Sequence, residues 1–338
     1  MEGKNGSMRH IAMRSAVTLA AIGLSALVGV ASPAFACAGL IGSNGAVSLG
    51  RTTTLAAYHD GFEHYVTAFK FVGGGGQFGT LIPLPDVPTT VERGGAWTLQ
   101  RLVRETQPPR LALGRAAAPA AAGAEVLLQT RVDALDLTVL KGGGADVAAW
   151  AHEHSFSLSP DAPEVLDFYA QRSPIFLAAV FDGEAAAQRG QQIGDGTPVH
   201  LTIPTANPWV PLRILGLGKQ PTEQVEADVF LLTDELPAIL PGPRDGLALT
   251  HNAPASTGLL NDLRSDAGMA WVPQSAWLTQ VSIGSSVADL RYDLAVDAAG
   301  TGTPSTVAAG LEPPAPPATG SNVWLAAAMH FLHGLVRA

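Results

Sequence analysis

The sequence predicts an α+β fold with largely antiparallel sheets and a few short helices. Strand-like runs follow one another through turns, and helical patterns interrupt them without a regular βαβ rhythm. Apolar residues make up 47% of the 338-residue chain and charged residues 14%. That balance supplies ample core material and excludes disorder of the whole chain. Length alone allows one large domain or two modest ones.

The elements follow in order. Thr52–Tyr58 and Phe62–Val72 flank His59-Asp60-Gly61, and Asp-Gly is the strongest short hairpin signal because both turn positions need positive φ. The run Gly73–Gly76 leads to a third strand, Phe78–Leu84, closed by Pro83 and Pro85. Leu99, Leu102 and Val103 recur at helical spacing, and the Ala/Pro-rich residues Ala116–Gly123 read as a surface connection. Val126–Val132 and Leu135–Leu140 are strands, followed by Gly142-Gly143-Gly144. A helix over Ala145–His154 turns Val147, Trp150, Ala151 and His154 to one face. Ser159-Pro160-Asp161 reads as a helix opening, with Ala162, Val165, Phe168 and Tyr169 inward. Ile175–Phe181, Val199–Ile203, Val210–Leu217 and Val225–Thr233 read as strands, Leu259, Leu260 and Leu263 mark a helix, and Val287–Val296 is the last strand. Gly79–Pro83 with Val87-Pro88 echoes Leu201–Pro204 with Val210-Pro211, which raises the prospect of two related sheet halves.

The two ends differ from this body. Arg9 and Arg14 precede an apolar run from Ala16 to about Val30, and Ala34-Phe35-Ala36 forms an A-x-A site with cleavage before Cys37. Residues 1–36 are therefore expected to be a signal peptide, and Ala34, Ala36 and Cys37 its cleavage site. The apolar run is short of the ~20 residues a membrane-spanning helix needs. Cys37 would become the new terminus, where lipidation is one outcome, although Ala34 and Phe35 fit a lipobox poorly. The globular domain is expected over 37–297, a Pro/Gly/Ala-rich linker over 298–321, and a short apolar helix over 322–338 as a candidate membrane anchor.

Charge narrows the partners. The chain carries −9. Residues 1–36 hold Lys4, Arg9 and Arg14 against Glu2, a net +2, so the remainder carries −11. An acidic body without a basic stripe argues against nucleic acid. One cysteine, Cys37, leaves no intramolecular disulfide and no thiolate metal cluster.

The whole resembles the bacterial family called domain of unknown function 2330. The likeness rests on Ala36-Cys37 with nearby Gly39, on Phe69-Lys70-Phe71 with Gly79-Thr80-Leu81-Ile82-Pro83-Leu84-Pro85, on Leu158–Pro163, and on Pro208-Trp209-Val210-Pro211-Leu212-Arg213-Ile214. It spans about Cys37 to the last strand. Two departures stand out: Ala38 replaces an expected second glycine, and the C-terminal helix is short. The resemblance implies an exported envelope protein, often tethered by a C-terminal helix, with no assigned activity.

No catalytic constellation emerges. Gly73–Gly76 lies between strands, whereas a phosphate loop must open a helix. Neither a G-x-S-x-G elbow nor an H-E-x-x-H pattern occurs. His152 and His154 are two apart, about 200° around a helix, and cannot share an ion. His59 and His64 are the candidate metal ligands, since a two-residue turn puts them on one sheet face as diagonal neighbours, but zinc wants a third ligand that nothing local supplies. Asp133 with Asp136, and Asp161 with Glu164, have plainer roles at strand ends and at a helix start. Trp150, Trp209, Trp271 and Trp277 suit a core or a groove.

The expected function is thus an exported, envelope-associated domain, binding or scaffolding an unidentified envelope partner, without catalytic residues, cofactor or metal. It would be secreted or held at the outer face of the cytoplasmic membrane, with membrane contact through the C-terminal helix. The alternative is an envelope hydrolase or metal-dependent enzyme whose site is assembled from distant residues.

Overall fold

Two large sheets face each other across an apolar core in a computed structural model of the chain. It describes residues 39–42, 47–49, 52–69, 71–73, 78–106, 125–190, 196–298 and 302–315. The expected signal peptide with Ala34, Ala36 and Cys37, the Ala/Pro-rich connection and the C-terminal apolar helix lie outside the described residues. Among the described residues, no helix is long and apolar enough to cross a membrane.

In chain order the strands are β1 (Gly39–Gly42), β2 (Val47–Leu49), β3 (Thr52–His59), β4 (Phe62–Phe69), β5 (Phe71–Gly73), β6 (Phe78–Leu84), β7 (Thr90–Arg93), β8 (Glu125–Val132), β9 (Leu135–Lys141), β10 (Ile175–Phe181), β11 (Thr197–Pro204), β12 (Trp209–Val210), β13 (Gln224–Thr233), β14 (Ala238–Leu240), β15 (Leu247–Pro254), β16 (Trp277–Ser286) and β17 (Leu294–Asp297). The helices are α1 (Thr98–Thr106), α2 (Gly144–Glu153), α3 (Ala162–Ala170), α4 (Gly183–Gln188) and α5 (Thr257–Ser265), with a 3-10 turn at Arg213–Gly216. The fold is α+β and mostly sheet, as the sequence predicts.

The seven-stranded sheet runs β15-β16-β13-β3-β4-β11-β7, and the five-stranded sheet runs β1-β6-β10-β9-β8. Pairing is antiparallel except where β13 lies parallel to β3. Strand alternation builds the core between them. Tyr65, Val199, Leu201, Val229 and Leu231 from the larger sheet meet Phe78, Ile82, Leu137 and Leu177 from the smaller. Full burial of each such side chain stabilises by about 1.5–3 kcal/mol. The opposite faces are covered by helices. Leu99 and Leu102 of α1, with Leu259, Leu260 and Leu263 of α5, pack on Leu55, Val66 and Phe230. Val147 and Trp150 of α2, with Val165, Leu166 and Tyr169 of α3, pack on Leu140, Phe176 and Ala178.

The β3–β4 hairpin turns at Asp60 (φ 49) and Gly61 (φ 82), both left-handed as the Asp-Gly signal demands. Its register sets His59 opposite Phe62 and Ala57 opposite His64. The β6 and β11 segments that echo each other lie in different sheets.

Local outcomes differ from the sequence reading at several points. The last strand, expected over Val287–Val296, is confined to Leu294–Asp297, and Trp277–Ser286 before it forms β16 instead. Residues 210–217 do not form one strand; after Val210 the chain turns into the 3-10 segment. Pro211 has no N–H for a ladder, and the Leu212 and Arg213 amides instead donate to Asp293 at 2.7 and 3.0 Å. In α3, Leu166 is fully buried while Phe168 is only half-buried, its ring covered by the Arg172 and Arg213 guanidinium groups at 4.2 Å each. Within the expected linker, Ala308 and Ala309 pack into the core beneath α3, and Arg172 Nη1 donates to the Ala308 carbonyl at 2.6 Å.

Candidate functional site

Polar residues concentrate in two places, a histidine row on the larger sheet and a charged cleft beside α3. The row starts from the sequence candidates. His59 of β3 and His64 of β4 share the helix-covered face, as the hairpin register requires. His59 Nδ1 lies 2.7 Å from Asp234 Oδ1. His64 turns to a residue that sequence reasoning passed over. Its Nδ1 lies 3.0 Å from Nε2 of His200 on β11. β11 pairs with β4 so that Thr202 faces His64, which makes His200 the diagonal neighbour. His59, His64 and His200 thus step diagonally across three adjacent strands.

Trp271 covers the inner pair, its indole lying 4.0 Å from the His64 ring at 6° and 5.1 Å from the His200 ring at 21°. The two imidazole centroids are 5.2 Å apart with planes at 22°. With nitrogens only 3.0 Å apart, the rings meet edge to edge, nitrogen to nitrogen. One nitrogen donates and the other accepts, so the pair holds one proton between them. An ion on that line would need two bonds of about 2.0–2.1 Å each, roughly 4 Å in total. Among the described residues no cluster of three or more metal-ligating side chains occurs.

On the far side, His200 Nδ1 lies 3.2 Å from Glu92 Oε1. That is ion-pair distance, but off the line of a hydrogen bond, and Nδ1 otherwise has no partner. Burial, then His200 and His59, push the His64 pKa down to about 4. Burial does the same for His200. Both rings are neutral at pH 7. The arrangement can hold and relay a proton between two shielded nitrogens. His154, expected to turn inward beside Trp150, does so; the rings stack at 4.6 Å and Nδ1 lies 2.8 Å from the Trp150 carbonyl oxygen.

Glu63, next to His64, points the other way into the core and is 1% exposed. Among the described residues neither carboxyl oxygen meets a well-formed hydrogen-bond partner, the Trp209 backbone N–H being near but poorly placed. Burial pushes its pKa up to about 8, and the nearby Trp209 backbone N–H offsets only part of that. Glu63 is therefore a neutral acid at pH 7.

The second place is an open cleft of about 320 Å³ beside the N-terminal end of α3. Its walls come from residues 159–165, 213–221 and 287–291. The frame is rigid for a traceable reason. Asp293, buried ahead of β17, accepts from Arg172 Nη2 at 2.5 Å, from the Tyr169 hydroxyl at 2.8 Å and from the Leu212 and Arg213 amides. Tyr169 Oη in turn accepts from Ile214 N at 2.9 Å. One buried carboxylate thus ties α3 to the 3-10 turn and to the segment before β17. Asp161 secures the loop beyond, accepting from the Gly218 N–H at 3.1 Å, with Gly218 at φ +74.

Asp161 and Glu164, read from sequence as helix-start charges, both line this cleft. Arg213 pairs with Glu164. Lys219 and Arg291 also line it and meet no carboxylate among the described residues. The sequence offers no signal for the cleft, because its walls are 50 to 130 residues apart in the chain.

No curated protein matches this chain. Two solved structures of a mutated baculovirus P35 after caspase cleavage are similar at a TM-score of 0.37 each. They are 6% and 7% identical; the similarity covers 74% of this chain in both cases and 100% and 98% of theirs. Likeness at that level says nothing about site or activity. Residues 30–235 match the family model described as an uncharacterized protein conserved in bacteria. That span holds His59, His64, His200 and Glu92 and two of the three cleft walls, and this chain belongs to the DUF2330 family.

Proposed function

We propose that this chain is an exported, envelope-associated domain that binds or scaffolds a partner without transforming it. The cleft beside α3 carries the reading. It is open, the 3-10 turn that carries Arg213 is held by a buried network, and its size suits a small ligand or an inserted side chain of a partner. The histidine pair, by contrast, is capped by Trp271 and its facing nitrogens satisfy each other. The leader-like residues 1–36 support a place outside the cytoplasm.

The test is sedimentation of the purified mature chain with isolated bacterial envelopes. The wild-type chain is expected to co-sediment, and K219E with R291E to lower the bound fraction severalfold. Equal recovery in the supernatant with and without envelopes would overturn the proposal.

A second reading, an envelope hydrolase or metal-dependent enzyme with a site assembled from distant residues, draws on the line from Glu92 through His200 to His64. Metal analysis of the purified chain, repeated on H64L and H200L, tests the metal version: stoichiometric metal lost in both variants would favour it.

A further inference from the structure

We infer that the cleft beside α3 takes the anionic end, carboxylate or phosphate, of a small ligand with an apolar body. This inference rests on the reading of that cleft as the binding seat and adds the chemistry of what it holds.

Charge is the first observation. The chain as a whole carries −9, yet the cleft gathers Arg213, Lys219 and Arg291 against Asp161 and Glu164. Among these lining residues cations exceed carboxylates by one, and the neighbouring Glu223 and Asp289 carboxylates are engaged by the Gln220 amide and the Ser286 hydroxyl. An anion is favoured here over the acidic surface elsewhere.

The second observation is which charges are already engaged. Asp161 is occupied by the Gly218 amide. Glu164 is occupied by Arg213, whose guanidinium also lies 4.2 Å over the Phe168 ring and whose backbone N–H is held by Asp293. Glu164 thus already has a cationic partner, and Asp161 already has a donor. Among the described residues Arg291 engages Nε alone, on the Ala288 carbonyl at 3.0 Å, which leaves both terminal nitrogens as donors there. Two parallel N–H groups match the two oxygens of a carboxylate or phosphate. Lys219, placed by its backbone bond to the Gly216 carbonyl at 3.0 Å, adds a mobile ammonium.

The third observation is the apolar surface between these charges. Val165, Val287 and Leu290 supply the apolar part of the lining, so an anion alone would leave that surface uncovered. An anionic head with an apolar body covers both.

The experiment uses four probes of similar shape: benzoate, phenyl phosphate, benzamide and benzamidine. Binding to the mature chain is followed by amide chemical shifts of residues 159–165, 213–221 and 287–291 at matched ionic strength. Benzoate or phenyl phosphate is expected to bind about tenfold more tightly than benzamide, the scale of one charge-assisted contact. Preference for one of the two anions assigns carboxylate or phosphate. K219E with R291E is expected to lose that preference while its shifts outside the cleft stay unchanged. Equal affinity for benzamide and benzoate would overturn the anionic class while leaving the cleft as a binding seat. Tighter binding of benzamidine would overturn it in the opposite direction. No shift at the cleft with any probe would remove this inference, whereas binding of the intact domain to its envelope partner is read separately by sedimentation.

Discussion

Arg172 and Asp293 meet at 2.5 Å with side chains 4% and 0% exposed, an ion pair wholly removed from water. Such a pair is costly to bury, and it persists here because other groups share the load. Asp293 also takes the Tyr169 hydroxyl and two backbone amides, while the Arg172 guanidinium reaches the Ala308 carbonyl and lies over the Phe168, Tyr169 and Trp209 rings.

Removing one partner should therefore be severe. R172M leaves the Asp293 charge buried and uncompensated, with an expected loss of about 3–5 kcal/mol. Urea unfolding of R172M beside the wild type measures it. The same variant should bind cleft ligands less tightly, because the 3-10 turn carrying Arg213 is held through Asp293. A loss below 1 kcal/mol would show that the network carries little of the fold.

The buried polar side chains set a pH optimum. Glu63, with its pKa raised to about 8, binds a proton in the folded state that the unfolded chain releases above its ordinary value near 4.5. Its contribution to stability therefore falls as pH rises from about 4.5 to 8, by roughly 3–5 kcal/mol at most. His64, His154 and His200, pushed down to about 4, act in the other direction. They stay neutral when folded while the unfolded chain takes up protons below about 6.5, so stability falls as pH drops from 6.5 towards 4. Considering these four groups, stability should peak near pH 6–7. Thermal unfolding from pH 4.5 to 9 tests this, and E63Q should flatten the alkaline limb and steepen the acid limb above about pH 4.5.

The histidine pair should show coupling. H64L leaves His200 Nε2 buried beneath Trp271 without its partner, at a cost of about 1–3 kcal/mol. The double variant H64L with H200L removes both polar groups and should cost less than the sum of the singles. A double-mutant cycle by urea unfolding reads the difference; strict additivity would mean that the shared proton adds nothing to stability.

Gly95 tests the same helix-covered face of the larger sheet. Asp266 accepts from the Ala96 and Trp97 amides at 3.0 and 2.9 Å and from Thr98 Oγ1 at 2.9 Å, securing the start of α1. A Cβ on Gly95 would lie 2.1 Å from Thr98 Oγ1 and 2.5 Å from Asp266 Oδ2. G95A should destabilise by about 1–3 kcal/mol, with altered near-UV signals from Trp97 and Trp271.

Local signals in the sequence carried over well, and distant ones did not. The β3–β4 hairpin was legible because Asp60-Gly61 dictates both the turn and the register that places His59 and His64 on one face. His154 was legible from helical spacing with Trp150. His200 carried a weaker sign: Val199, Leu201 and Ile203 alternate inward, so His200 had to face outward. Its meeting with His64 depends on β11 pairing with β4 across 136 residues, which no local pattern encodes. β15 escaped notice because it is an edge strand with mostly exposed side chains and little apolar alternation. The segment after Pro211 looked apolar enough for a strand; Asp293, some eighty residues later, takes its amides instead.

The central claim is that the working chain lies outside the cytoplasm, where an envelope partner can reach the cleft. Fractionating cells that express the full-length chain, with mass spectrometry of its N-terminus, tests this most directly. The account predicts a chain beginning at Cys37, recovered with the envelope or the medium. An intact chain starting at Met1 and confined to the cytosol would contradict it.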